Sequence, residues 1–220
     1  FSQSLPKSVL ANQYNCVTGI PGLPSLGPFD PLKVKRVVIA EDGNGPVSVN
    51  MVFTNMVLTG LTGAVLDDVN LNPTKSVMKL QIKLPKVNVK SEYDVKGRVL
   101  SLPLIGSGKA LVDIGNLKAE LALRYKLREE GGLTFADIEK IRVDFKDAAE
   151  FRLTLDNPQS EQTVLEEATN SAVNENWREY FEVMRPSITE TVESIMGDRL
   201  QKMFSYIPAT YFIEDIGVST

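Results

Sequence analysis

Apolar and polar residues alternate along most of the chain between residues 34 and 156, and this period-two pattern constrains the fold more than any other feature. In the clearest run, residues 117–127, apolar side chains at odd positions alternate with mostly charged side chains at even positions. Successive side chains of a β-strand point to opposite faces, so such runs are typical of half-buried strands. Turn residues such as Gly131 and Gly132 join neighbouring runs, which favours antiparallel pairing. The pattern predicts a strongly curved antiparallel sheet over residues 34–156, with one apolar face that needs a cover.

The last quarter of the chain changes to a helical period. From about residue 160, apolar residues recur every three or four positions, which predicts one long amphipathic helix over residues 160–205 with Ser160 as its N-cap. At about 1.5 Å per residue, this helix would be about 65–70 Å long. Pro186 is expected to kink or break it, because the proline ring clashes with the preceding turn. Pro208 is expected to end it, and residues 209–213 are predicted to return as a final strand.

Domain organisation follows from the order of these segments. Residues 1–31 are rich in glycine and proline, which predicts an irregular entry segment. The 220 residues are enough for one large domain with a sizeable core. We therefore predict a single α+β domain over residues 1–220, in which the curved sheet wraps around the long helix and encloses an apolar tunnel.

Composition excludes several classes of function. The 24 basic and 28 acidic residues are interspersed and give a net charge of -4, so nucleic acid is not an expected partner. No apolar run has the length of a membrane span, so stable membrane insertion is not expected either. Histidine is absent, which rules out a Ser-His-Asp or Cys-His arrangement, and no Gly-x-Ser-x-Gly motif is present. We predict that the chain is not an enzyme; a lipid-ester hydrolase that relies on carboxylates is an alternative without a supporting motif.

Three local features are interpreted as structural. The Gly106-Ser107-Gly108 segment lacks the remainder of a phosphate loop and is predicted to form a bulge or a turn between strands. The Asp67-Asp68 pair matches no calcium loop, so we expect solvated turn carboxylates and predict no metal site or cofactor. Cys16 is the only cysteine and is interpreted as an incidental thiol, with an intermolecular bridge as the alternative.

Strand parity and helical spacing select a set of apolar side chains that are predicted to line a ligand tunnel. Plain core packing is the alternative interpretation of the same positions. Three of them, Tyr93, Tyr125 and Trp177, combine an apolar body with a polar tip and are predicted to contribute specificity. The complete predicted set is Met51, Phe53, Leu80, Ile82, Tyr93, Leu121, Leu123, Tyr125, Phe151, Trp177, Phe181, Met184 and Ile188.

Short motifs spread over most of the chain resemble the insect Takeout / juvenile-hormone-binding-protein family. Each motif is weak alone, but their order and spacing together are specific. They are Gly19-Ile20-Pro21, Asp30-Pro31-Leu32, Asn55 with Gly60-Leu61, Leu84-Pro85, Tyr93, Lys96-Gly97, Leu102-Pro103, Gly106 and Gly108, Leu155-Asp156-Asn157, Asn174-Glu175-Asn176-Trp177, Pro186 and Pro208.

The resemblance implies a fold and a function. Family members look like one half of the larger lipid-binding and bactericidal-permeability proteins, and they are secreted, non-enzymatic carriers of juvenile hormones, fatty acyl lipids, quinones or carotenoids. The chain is therefore expected to be an extracellular carrier whose partner is a small hydrophobic molecule, an isoprenoid such as a carotenoid or juvenile hormone, or a fatty acyl lipid. The alternative is a ligand-free protein-interaction module with a fully packed core. Family members usually carry a cysteine pair ahead of the Gly-Ile-Pro motif, whereas only Cys16 is present here.

Overall fold

Residues 26–41, 45–156 and 163–211 are described by the computed structural model, with the side chains of residues 163–165 left aside. Most of the predicted entry segment, Cys16 and the predicted Ser160 N-cap lie outside the described residues. The described part contains one antiparallel sheet of seven strands, with the path β1-β2-β4-β5-β6, β3 beside β4 and β7 beside β5. The strands are β1 Leu32–Glu41, β2 Val47–Thr59, β3 Val65–Asn72, β4 Val77–Val99, β5 Leu102–Glu130, β6 Leu133–Asp147 and β7 Glu150–Asp156. Two helices follow, α1 Thr163–Glu175 and α2 Trp177–Tyr206.

The central strands β4 and β5 are much longer than the sequence runs suggested. They contain 23 and 29 residues, and the register pairs the length of β4 with residues 102–124 of β5. The turn predicted at Gly131 and Gly132 is confirmed: both have positive φ, 61° and 77°, and they join the paired residues Glu130 and Leu133. The bulge or turn predicted between strands at residues 106–108 is wrong, because this segment lies inside β5 and continues the pairing with β4.

The buried face of β4 and β5 changes parity in the middle of both strands. On β4, buried Met78 is even-numbered whereas buried Val87 is odd-numbered, and the exposed Pro85 lies between them. The switch on β5 occurs at Asn116, which has φ 51°. The register places Asn116 opposite Pro85 of β4, and proline has no N–H to donate to the pairing. Because both strands shift at the same level, the pairing register is preserved and both halves of the sheet present their apolar side chains to the helices.

Helix α2 contacts both ends of the strand path. On β6, Glu193 accepts a hydrogen bond from Val143 N at 2.9 Å. On β1, Arg199 donates to the Lys33 carbonyl at 3.3 Å. Since β1 and β6 stand at opposite ends of the path, one helix can bond to both only when the sheet curves around it. The predicted class, a curved antiparallel sheet around a long C-terminal helix, is confirmed.

The helical segment differs in detail from the prediction. The helix is divided at Asn176, whose backbone has φ -124° and ψ 29°, and not at Pro186, which lies exposed within α2. The helix ends at Tyr206, shortly before Pro208, as expected. The final strand predicted over residues 209–213 is wrong for its described part: Ala209–Tyr211 form a 3-10 turn, because Ala209 is 1% exposed and packs into the core directly after the helix.

Two apolar clusters lie along the inner face. The first contains the buried residues Met78, Leu121, Leu123, Tyr125, Ala136, Ile138, Ile141, Leu200, Phe204 and Ala209. The second contains Val49, Tyr93, Val95, Val99, Ala110 and Met184. Both clusters include residues of α2, and along β4 they are separated by the stretch between Ile82 and Tyr93. The core is therefore divided into two ends with a middle section between them.

Candidate functional site

The middle section of the inner face is a row of apolar side chains across five strands. Paired register places Leu32, Leu58, Val89, Val112 and Leu153 next to one another on β1, β2, β4, β5 and β7. We call the last four of these residues the central row. Leu32 is 1% exposed, whereas all four residues of the central row are only half-buried. The row thus retains accessible apolar surface between two clusters that are packed tightly. Its residues were not among the predicted site residues, although the alternation around Val89 already placed that side chain inward.

Ten of the thirteen predicted site residues divide between the two clusters. Those of the first are Leu121, Leu123 and Tyr125, with Leu80 and Ile82 packed against them. Those of the second are Tyr93 and Met184, with Met51, Phe53 and Ile188 packed against them. Strand parity therefore selected inward side chains, while their assignment to ligand contact stays a prediction.

Three predicted aromatic residues lie in neither cluster and form ring contacts at the start of α2. Trp177 stacks on Phe151 of β7 with ring centroids 5.5 Å apart. Phe181 meets Phe145 of β6 edge to face at 5.9 Å. The guanidinium of Arg178 lies 4.3 Å from the Trp177 ring centre, in the range of a cation–π contact. These rings fix the beginning of α2 to strands β6 and β7.

Asn174 works with Trp177 to attach the junction between the helices to the sheet. Its side-chain amide accepts a hydrogen bond from Leu153 N at 2.7 Å and donates one to Leu153 O at 2.8 Å. The Asn174-Glu175-Asn176-Trp177 motif therefore holds the helices against β7, beside the end of the central row. The motif was visible in the sequence, but the partner of Asn174 could not be identified from it.

The two buried tyrosines differ in their electrostatic surroundings. Burial raises the pKa of the Tyr93 hydroxyl, and the charges of Glu166 and Asp156 raise this pKa further. Burial alone raises the pKa of Tyr125. Both hydroxyls are therefore protonated at neutral pH and are available as hydrogen-bond donors. Trp177 is the third residue that the sequence predicted to contribute specificity through a polar tip, and this role stays a prediction.

A turn at one end of the sheet explains two further motifs of the sequence, Asp30-Pro31-Leu32 and Gly60-Leu61. One carboxylate oxygen of Asp30 accepts hydrogen bonds from Gly60 N at 3.0 Å, Thr62 N at 2.9 Å and the Thr62 hydroxyl at 2.8 Å. Gly60 has φ 97°, and a Cβ at this position would lie 2.0 Å from the Lys86 carbonyl oxygen. Only glycine fits here, so Asp30 and Gly60 fix the entry of β1 and the end of β2.

The described residues contain no group of three or more His, Cys, Asp or Glu side chains placed to hold a metal ion. Within the same residues, neither helix combines the length and the apolar character that crossing a bilayer requires.

Comparison with known proteins finds relatives for this arrangement. The family model described as haemolymph juvenile hormone binding protein matches residues 1–214. The circadian clock-controlled protein daywake of Drosophila melanogaster is 23% identical over 143 residues, which cover 62% of this chain and 54% of that protein. The Drosophila yakuba protein of the same name is 20% identical over 84% of this chain and 74% of its own length. The crystal structure of Epiphyas postvittana Takeout 1 matches with a TM-score of 0.76 and 22% identity over 91% of each chain, which shows a shared fold.

Proposed function

The chain belongs to the haemolymph juvenile hormone binding protein family, and from this premise we propose that it is an extracellular carrier that encloses one long hydrophobic molecule. Membership supports the binding and transport of a hydrophobic ligand, and the haemolymph in the family description supports secretion. We propose no catalytic activity, because the family is one of binding proteins.

The half-buried central row is the observation that carries this proposal. Leu58, Val89, Val112 and Leu153 point to the face that the helices cover, and yet each keeps accessible surface. Protein interiors are normally packed as densely as organic crystals, so inward apolar side chains that stay accessible favour an unfilled space. We propose that a ligand tunnel passes over this row, between the first and the second cluster.

The proposed ligand is elongated and mainly apolar, either an isoprenoid such as a carotenoid or juvenile hormone, or a fatty acyl lipid. A ligand that buries roughly 500 Å² of apolar surface gains about 12 kcal/mol before costs, at ~25 cal/mol per Å². Loss of translational freedom and ordering of side chains reduce this gain substantially. Affinities in the micromolar to nanomolar range are consistent with these two opposing contributions.

A substitution that fills the space tests the proposal. Val112→Phe adds volume at the central row, whereas Leu111→Phe makes a similar change at the neighbouring position on the other face of β5. If the row borders an empty tunnel, Val112→Phe should weaken the binding of the neutral fluorescent probe N-phenylnaphthylamine at least about tenfold while the free energy of unfolding changes by less than about 1 kcal/mol. Leu111→Phe should leave probe binding unchanged.

The ligand-free interaction module predicts a different result. In a packed interior the larger side chain at residue 112 would be overpacked, which typically costs about 1–3 kcal/mol. The unmodified protein would also fail to bind the probe. Both results together would overturn the carrier proposal.

A further inference from the structure

Ser91 is a polar residue on the inner face of β4, directly beside the central row. It has the same strand parity as Val89, and it pairs with Ala110 of β5. The inward residues that flank these two positions of β4, Val87 and Tyr93, are 4% and 6% exposed, whereas Val89 and Ser91 are only half-buried. Ser91 therefore borders the same accessible space as the central row, at its end next to the second cluster.

A β-bulge on β2 lies opposite Ser91. The register with β4 shifts between Thr54 and Val57, so two residues of β2 stand opposite the single residue Ser91. One of the two, Asn55, has φ 51° and donates a hydrogen bond to the exposed Glu92 carboxylate at 3.0 Å. Bulges redirect side chains and are frequent next to functional sites. The Asn55 position of the sequence motifs is thus explained as the bulge that interrupts the pairing of β2 beside Ser91.

The Ser91 hydroxyl makes no hydrogen bond to another residue in the part of the chain that the structure describes. Among the same residues, no side-chain oxygen or nitrogen is both sealed from solvent and without a partner, so this hydroxyl is open to the space over the central row. Its inward neighbours Val87 and Val89 are apolar, and Tyr93 is buried. A hydroxyl in an apolar wall is unfavourable once water is displaced, unless the incoming molecule bonds to it.

We propose that Ser91 is a specificity residue of the carrier and that its hydroxyl binds an uncharged oxygen group at one end of the ligand, as in a long-chain alcohol or ester. A serine hydroxyl can donate to a carbonyl or hydroxyl oxygen and can accept from a ligand hydroxyl. The apolar chain of the ligand extends from Ser91 over the central row towards the first cluster, where the inward residues Ile114 and Leu117 of β5 are also half-buried. This inference rests on the proposed carrier function and deepens it by naming the polar group of the ligand.

Two ligands of equal chain length test the inference. Hexadecanol and 1-fluorohexadecane, which lacks the hydroxyl, are each used to displace N-phenylnaphthylamine from the protein, below their aggregation limits. The unmodified protein should bind hexadecanol about fivefold more tightly or better, because only the alcohol can both donate to and accept from Ser91. Ser91→Ala should reduce this ratio to about twofold or less by weakening the alcohol alone. Ser91→Thr keeps a hydroxyl and should retain the preference, and Ser107→Ala, which changes an exposed serine on the outer face of β5, should leave the ratio unchanged.

The possible results separate the two proposals. If the unmodified protein binds the probe but shows no preference for the alcohol, the proposal for Ser91 is overturned and the carrier function stands. If the protein binds neither ligand nor the probe, the carrier function is overturned as well. A Ser91→Ala protein that keeps the preference, or that loses both ligands equally, would contradict the role of the hydroxyl. Should Ser91→Ala fail to fold, Ser91→Cys gives the same comparison, since a thiol is a much weaker hydrogen-bonding group.

Discussion

Asn174 makes the two hydrogen bonds to the Leu153 backbone that a neighbouring β-strand would make. One helical turn earlier, Asn170 makes the same pair with Leu155, at 2.8 and 3.0 Å. The spacing permits this repetition, because four residues of a helix rise about 6 Å and two residues of a strand about 6.6 Å. Side chains of helix α1 therefore bond to the edge of β7 that does not pair with β5. The backbone N–H and carbonyl groups of Leu153 and Leu155 on this edge find hydrogen-bond partners without another strand.

Substitution of Asn174 by Leu should destabilise the protein by about 2–4 kcal/mol, because it leaves the Leu153 N–H and carbonyl without their partners. Asn176→Ala is the matched control from the same motif, since the Asn176 side chain is exposed and makes only a 3.3 Å bond to Ala172 O. Urea unfolding of both variants measures the difference. Equal losses of stability would show that the pairing with β7 is unimportant.

Gly60→Ala should cost about 3 kcal/mol or more or prevent folding, because the new Cβ would lie 2.0 Å from the Lys86 carbonyl oxygen and the backbone has φ 97°. Gly63→Ala lies in the same turn, but its Cβ would meet nothing closer than 4.0 Å. It should change stability by about 0.5 kcal/mol or less. Thermal unfolding of the two variants tests this, and a stable Gly60→Ala protein would contradict the described path of the turn.

Leu123→Arg should abolish folding or ligand uptake, because Leu123 is 1% exposed and the charge would be buried without a partner. Lys126→Ala changes an exposed residue on the opposite face and should alter stability by less than about 0.5 kcal/mol. Soluble yield, unfolding free energy and probe binding are compared for both. If the two substitutions behaved alike, the assignment of the inner face of β5 would be wrong.

Tyr125 should make stability fall at high pH. Burial raises its pKa in the folded protein above the usual 10.0, so the unfolded chain loses this proton first as the pH rises. The contribution of Tyr125 is therefore complete below pH 10.0 and is lost as the pH rises from there through the raised value. The unfolding free energy of Tyr125→Phe should decline less steeply above about pH 10 than that of the unmodified protein. Parallel declines would show that the Tyr125 hydroxyl is not buried from solvent.

Local patterns were enough to predict the sheet, its inward side chains and the Gly131-Gly132 hairpin, because each depends on neighbouring residues in the sequence. They were not enough for the parity switch at Pro85 and Asn116. That switch preserves pairing only because two strands shift together, and the sequence of one strand does not show where its partner shifts. The 29-residue β5 was divided at Gly106 in the prediction for a different reason, because glycine in a strand pattern often marks a bulge or a turn, whereas Gly106 and Gly108 continue the pairing with Val95 and Tyr93 of β4.

The helix and the site show a second limit of sequence patterns. Pro186 is the obvious helix breaker, and yet the interruption lies at Asn176, where Asn174 and Trp177 are attached to β7 through partners distant in the sequence. Likewise, parity identified Leu123 and Tyr93 as inward residues. It could not show that they belong to two separate clusters, because that depends on which residues of α2 they meet.

Native mass spectrometry of the purified protein, combined with organic extraction and an absorption spectrum of the same sample, tests the carrier function most directly. We expect one long-chain hydrophobic molecule per chain, released by extraction or taken up on incubation with hexadecanol, and visible absorption if that molecule is a carotenoid. Protein that is isolated empty, and that also takes up no hexadecanol, retinoid or fatty acid, would contradict the carrier function and favour a fully packed interaction module.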